Sequence, residues 1–258
     1  MPAATTSDST NNPFIKSLAS SNRTTRDRAL DSLRTYLHHP TPFSELELLK
    51  LWKGLFFCMW MSDKPLNQQR LARDLAGLVD ALQGKENVLG WFRAYWTTMA
   101  REWGGIDALR MDKFLYLVRC YVGKGFEYVR GVGWEDEKLV EEYLVILQEG
   151  PLDLHDGKIP NGLRYHVTDI YVDELDKADT GRNAPLDMML APLRRLGKES
   201  LTKAVRKRVG EALDDERLKD WVNAGAETEA EDEDAEATEQ STNDVDGDDD
   251  DEFRGFEN

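Results

Sequence analysis

Residues 44–61 read SELELLKLWKGLFFCMWM, and this stretch decides the fold. Ser44 and Glu47 have the spacing of a capping box, in which the hydroxyl serves the backbone N–H three residues on and the carboxylate returns the bond. Leu48, Trp52, Leu55 and Met59 follow at helical spacing, while Leu51, Phe56, Phe57 and Trp60 fill most of the remaining circumference. A helix apolar nearly all round must be buried on several sides. The stretch is expected to be the central element of a helical core, with Cys58 inside it. Its apolar run, Gly54 to Met61, is far short of the roughly 18 to 20 residues that cross a bilayer, so no membrane span is expected.

Helical spacing continues on both sides. Upstream, Thr24 with Asp27 fits a capping box before Leu30, Leu33 and Leu37, and His39-Pro40 stops that helix. Downstream, the SDKP stop precedes a one-sided stripe of Leu71, Leu75, Leu78 and Leu82 that ends at Gly84. Phe92, Trp96, Met99 and Trp103 make the next helix, closed by Gly104-Gly105. Another from about Ile106 carries Phe114, Leu117, Val118 and Tyr121. Gly123 and Gly125 then predict a kink or break, since a glycine costs about 1 kcal/mol in a helix interior. Leu139, Tyr143, Ile146 and Leu147 form a helix ending at Gly150-Pro151, and Leu163, Val167 and Ile170 form one after Pro160.

No alternating run of strand type is longer than a few residues, so the body reads as all-α. Helix starts near Thr24, Glu45, Leu66, Asn87 and Ile106 recur about every 20 residues, as in stacked helix pairs. A HEAT- or armadillo-like helical-repeat solenoid is the leading architecture, with an irregular α-bundle as the alternative.

Charge divides the chain. Its net charge is -16, from 33 Lys plus Arg and 49 Asp plus Glu. Residues 223–258 hold 16 of those acids and one base, Arg254, a net of -15, which leaves the rest of the chain with 33 acids and 32 bases. This segment has almost nothing apolar to bury and is expected to be a disordered acidic tail. Residues 1–12 are expected to be disordered as well, bracketing an all-α domain at 13–222. The tail serves solubility, or it screens basic surfaces as a mobile polyanion. Thr228 and Ser241, each with an acid three positions downstream, fit the preference of acidophilic kinases. The opening MPAATTSDSTNN has neither the basic nor the apolar region of a secretory leader. Cys58 and Cys120 lie in apolar stretches and offer no disulfide framework, so a reducing compartment is expected.

The chemical motifs are largely absent. The Gly-Lys pairs at Gly84, Gly123, Gly157 and Gly197 lack the flanking residues of a phosphate-cradling loop. His38, His39, His155 and His166 show no zinc-ligand spacing, and His166 reads as a packing or hydrogen-bonding residue. Asp169 and Asp173, four apart on a helix, read as a solvated pair. No catalytic residue, cofactor, metal or small-molecule substrate is expected. Most of the seven tryptophans fall on core stripes, with Trp91 and Trp134 the better candidates for exposed stacking contacts.

A basic segment is more informative. Leu201, Val205, Val209 and Ala212 share one side of a helix that Ser200 could cap, while Lys203, Arg206 and Lys207 share the other. Arg194, Arg195 and Lys198 precede it and Arg208 flanks it. A basic amphipathic helix of this kind binds phosphates, an acidic protein face or an anionic membrane surface; its plain alternative is a solvated face paired with Glu199, Glu211 and the tail. These seven bases are the candidate RNA or partner contact, with no membrane role expected.

ELLKLWKGLFFCMWMSDKP (47–65), MAREWGGIDALRMDKFLYLVR (99–119), IPNGLRYHVTDIYVDEL (159–175) and the opening NPFIKSLASSNRTTRDRALDSLRTYL (12–37) together resemble the eukaryotic nucleolar ribosomal RNA-processing protein 1 family. The resemblance implies a non-enzymatic assembly factor of the large ribosomal subunit. It would act in the nucleus, in the nucleolus, on early pre-60S particles, as a scaffold required for maturation of the precursor to the large-subunit and 5.8S rRNAs. It also implies association with other assembly factors, among them a Brix-domain protein and a β-propeller protein, with pre-rRNA as a direct contact to be considered. The rival reading, from the tail, is a helical-repeat adapter or chaperone for basic proteins.

Overall fold

The computed structural model describes residues 13–221, and every regular element among them is helical. The larger compact unit reaches to Asp215 and contains ten α-helices among its described residues: α1 (Pro13–Leu18), α2 (Arg23–Leu37), α3 (Glu45–Trp60), α4 (Pro65–Ala76), α5 (Lys85–Glu102), α6 (Ala108–Val132), α7 (Glu137–Glu149), α8 (Asn161–Ala178), α9 (Leu186–Glu199) and α10 (Lys203–Leu213). Short 3-10 turns extend α4 (Gly77–Ala81) and α5 (Trp103–Gly105). The second unit begins at Glu216, and its described part is a single helical turn over 217–221. The expected acidic tail, with Thr228 and Ser241, and the N-terminal segment 1–12 lie outside the described residues.

Each helix packs on the one two places along the chain. α1, α3, α5, α7 and α9 lie side by side as one layer; α4, α6, α8 and α10 form the second, with α2 meeting it at the 3-10 turn after α4. This alternation is the arrangement of a helical-repeat stack, in which each hairpin buries its apolar face on its neighbours.

The central helix is built as its sequence requires. Ser44 Oγ accepts from Glu47 N and Glu47 Oε2 accepts from Ser44 N, closing both halves of the capping box. Trp52 lies at the meeting of three rings, with centroids 5.1 Å from Trp91, 4.8 Å from Tyr95 and 5.0 Å from Tyr121. Each aromatic pair adds about 0.5–1.5 kcal/mol beyond the area it buries. Tyr121 carries the polar bonds of this core: its hydroxyl donates to Leu75 O at 2.7 Å and accepts from Trp91 Nε1 at 3.1 Å.

Three local expectations are corrected. The cap of α2 is Asn22, whose side chain accepts from Thr25 N at 3.1 Å; Thr24 lies inside the first turn. Trp91 is fully buried between α3 and α6, because its indole N–H finds a partner in Tyr121, whereas Trp134 is half-buried. Most informative is α6, which runs unbroken from Ala108 to Val132 through both glycines. A Cβ at Gly125 would collide with the Tyr143 phenol, and one at Gly123 would sit 2.9 Å from Glu174 Oε2. These glycines let α7 and α8 approach α6 rather than stop it.

Polar groups fix the register. Lys113 on α6 is buried and donates to Trp60 O at 2.7 Å and Ser62 O at 2.8 Å, serving carbonyls at the end of α3. Burial pulls its ammonium down to about 8. Tyr171 on α8 donates to Met189 O at 2.6 Å, three residues before Pro192, which supplies no N–H within α9. His166 Nε2 donates to Leu115 O at 2.8 Å. The second layer also carries an ion pair at each step: Asp27 with Arg70 at 4.0 Å, Asp80 with Lys124 at 2.8 Å, Glu174 with Arg119 at 2.7 Å, and Asp169 with Arg208. Exposed pairs of this kind are worth about 0–1 kcal/mol each, so they order the layer more than they stabilise it.

Gly125→Ala is expected to destabilise the protein by about 1–3 kcal/mol through overpacking against Tyr143, although helix propensity alone would favour alanine by about 1 kcal/mol. Gly131→Ala, on the same helix with open space around the new Cβ, should be neutral or stabilising. Urea midpoints of both variants check this, and a stabilised Gly125→Ala would contradict the close approach.

Burial also holds the His166 imidazole below its ordinary value of 6.5. On acidification the unfolded chain takes up this proton first, so the contribution of neutral His166 is present above about pH 6.5 and is lost as pH falls below it. His166→Gln should reduce the fall in urea midpoint between about pH 7.5 and about pH 5; an unchanged pH dependence would count against the assignment.

Candidate functional site

The seven candidate bases lie on one hairpin, α9 and α10, but on both layers of the stack. α9 buries Met189, Leu190, Leu193 and Leu196 along one face, which leaves Arg194, Arg195 and Lys198 exposed on the other. α10 buries Val205 and Val209, and Lys203, Arg206 and Lys207 face solvent. The helices touch closely at Gly197, where a Cβ would lie 2.8 Å from a Val209 methyl. Ser200 is the C-cap of α9 rather than the N-cap of the next helix: its N–H donates to Leu196 O at 3.1 Å and its Oγ accepts from Thr202 N at 3.3 Å. Thr202 is the N-cap of α10, and Leu201, expected on the apolar face, stands 98% exposed at the turn. A two-residue connection between antiparallel helices cannot direct that side chain inward.

Most of the seven bases are already engaged. Arg194 Nη1 lies 2.7 Å from Asp187 Oδ1, Arg195 Nε lies 3.5 Å from Glu199 Oε2, and Lys207 Nζ lies 3.0 Å from Glu211 Oε1. Arg195 also donates to Gln148 Oε1 on α7 at 3.2 Å. Arg206 donates to Ser200 O at 2.7 Å, at the end of α9. Arg208 pairs with Asp169 while its guanidinium carbon lies 4.9 Å above the Tyr165 ring. Its hydrogen bond to Asp169 raises it further above the usual guanidinium value. Lys198 and Lys203 are exposed and have no carboxylate partner among the described residues. A phosphate arriving here meets two uncompensated ammonium groups and displaces carboxylates for the rest.

The groups that could do bond-making chemistry are placed otherwise. Cys58 is buried in α3 and burial pushes its thiol up to about 12, while Cys120 is raised to about 11 by the same cause. Neither supplies a thiolate near neutrality. Asp169 and Asp173 are taken by different arginines, Arg208 and Arg119. Among the described residues no group of three or more His, Cys, Asp or Glu is arranged to hold a metal ion. No described helix is long and apolar enough to cross a membrane.

Sequence reasoning missed one surface feature. Trp60, counted there with the core, is half-buried in the last turn of α3, with the Arg110 guanidinium 4.6 Å from its ring centroid. Its position one residue before the end of an apolar run was the available signal, since the last turn of a helix loses the neighbours that bury its interior.

Comparison with known proteins follows the same stretch of chain. A model of the nucleolar protein Nop52 family matches residues 9–256. Ribosomal RNA processing protein 1 homolog B of Homo sapiens is 43% identical over 169 residues, covering 64% of this chain and 22% of that protein. Homolog A of Mus musculus is 43% identical over 165 residues, 62% of this chain and 33% of its own. The Drosophila melanogaster homolog is 34% identical over 190 residues, 69% and 27% respectively. The chain thus spans about a quarter to a third of the length of these relatives. With a family model matched over nearly all of its length, and relatives aligned along the helical stack, the chain belongs to the Nop52 family of nucleolar proteins.

Proposed function

We propose that this chain is a non-enzymatic ribosome biogenesis factor that works as a scaffold in early nucleolar pre-60S particles and is required there for processing of pre-rRNA to the large-subunit and 5.8S rRNAs. The observation that carries this reading is the Nop52 match over residues 9–256, together with relatives that are named for ribosomal RNA processing. The two-layer stack supports it physically: rigid side-by-side helices offer extended faces on which neighbours are held in register. Other assembly factors, including Brix-domain and β-propeller proteins, are the proposed partners, with the helical body rather than the acidic tail carrying particle association. The α9–α10 hairpin is the proposed contact for pre-rRNA phosphates or an acidic partner.

Affinity purification of the tagged protein from its own cells, with and without nuclease, tests the assignment. Recovery of large-subunit precursors and their assembly factors is expected, and the proteins that survive nuclease are the direct partners. Recovery of histones or transport factors without pre-rRNA would overturn it.

The pairing pattern on the hairpin makes a sharper prediction. Lys198 and Lys203 should dominate any phosphate contact, each contributing about 0.7–0.9 log units of affinity per log unit of salt. Lys198→Glu with Lys203→Glu should flatten the salt dependence of RNA binding more than Arg194→Glu with Lys207→Glu. An unchanged slope in the first pair would remove the hairpin from the RNA contact.

A further inference from the structure

Two clefts open on the second layer and join across α4. One, of about 470 Å3, is lined by Arg34, Thr35 and His38 of α2 with Arg73, Gly77 and Asp80. The other, of about 310 Å3, is lined by Arg73 and Gly77 with Tyr116, Gly123, Lys124 and Glu127 of α6. Arg73 and Gly77 belong to both, so the groove crosses two successive helix–helix steps. Its floor is low at Gly77, where an added Cβ would meet nothing within 4 Å.

The charges of this groove are not balanced, although acids line it. Asp74 is held by Arg70 at 3.8 Å, Asp80 and Glu127 by Lys124 at 2.8 and 3.4 Å, and Glu174 by Arg119 at 2.7 Å. Arg34 and Arg73 have no carboxylate partner among the described residues; Arg73 donates to the Tyr116 hydroxyl at 3.0 Å, which fixes its direction while leaving its charge uncompensated. The groove therefore presents two guanidinium groups to a visitor, and its carboxylates are already occupied. A guanidinium fork matches a carboxylate in bidentate geometry.

We propose that this groove binds an extended acidic segment of a partner protein, with its carboxylates on Arg34 and Arg73 and its backbone over Gly77. A nucleic-acid strand fits less well, because it carries a charge at every unit and would pass the lining carboxylates Asp74, Asp80 and Glu127. A peptide can space its acids to meet the two arginines alone. The assignment rests on the groove itself and holds whether or not the α9–α10 hairpin meets RNA.

The test is fluorescence polarisation of the full chain with a fluorescein-labelled peptide in which Glu and Asp alternate with Gly and Ser. The same peptide with Gln and Asn for its acids, and a labelled oligouridylate, are the comparison probes. Saturable binding of the acidic peptide is expected, weakened at least about tenfold by Arg34→Glu with Arg73→Glu, the scale of losing two charge-assisted contacts. Gly77→Leu should weaken it as well without altering charge, by filling the floor. Arg28→Glu, an exposed position of α2 outside both clefts, should leave it nearly unchanged. Circular dichroism checks folding, and Arg34→Gln with Arg73→Gln replaces the reversal if that variant unfolds. Absence of saturable binding, equal binding of the neutral peptide, equal loss in Arg28→Glu, or no effect of Gly77→Leu would overturn the proposal. So would oligouridylate binding with the same sensitivity to Arg34 and Arg73.

Discussion

The two layers depend on one buried side chain, Tyr121. It reaches from α6 into the aromatic core, lies against Trp52 of α3 and stacks on Tyr95 of α5 at 3.9 Å between centroids. Its hydroxyl serves Leu75 O of α4 and the Trp91 indole of α5. Elements of both layers thus converge on a single phenol, which supplies apolar area and the hydrogen bonds that buried groups require. The relative height of α3, α4, α5 and α6 follows from it, and α7 and α8 are then positioned by the bare backbone of Gly123 and Gly125.

Outside this core, charge decides where the surface is available. The second layer spends most of its bases on acids of the next helix, so its electrostatic field is largely cancelled within the fold. What remains is local: Arg34 and Arg73 in the groove, Lys198 and Lys203 on the last hairpin. A surface arranged in this way favours partners whose charges match particular positions over polyanions in general. That suits a scaffold surrounded by RNA, on which indiscriminate phosphate binding would be a handicap.

Much of this was legible in the sequence where one segment carries its own instructions. The Ser44–Glu47 box, the leucine stripes and the near-circular apolar surface of α3 each state a local rule, and the structure follows them. The failures share a cause. Thr24 and Ser200 were good caps by spacing, but Asn22 and Thr202 stand where the backbone turns. Gly123 and Gly125 are helix breakers by propensity, yet their role is set by Tyr143 and Glu174, 18 and 51 residues downstream. Trp91 is hidden because Tyr121, 30 residues on, offers it a partner. The seven bases were visible by composition, but which of them are neutralised depends on Asp169, Asp187 and Gln148, and only the fold brings the first and last of these to the hairpin.

The central claim is that the helical body holds its place in a pre-ribosomal particle, and removal of residues 223–258 tests it most directly. Sucrose-gradient sedimentation of extracts containing the shortened chain should show it with large-subunit precursors, as the full chain does. A shortened chain that remains folded but stays at the top of the gradient would show that the acidic tail carries the association, and would contradict the account.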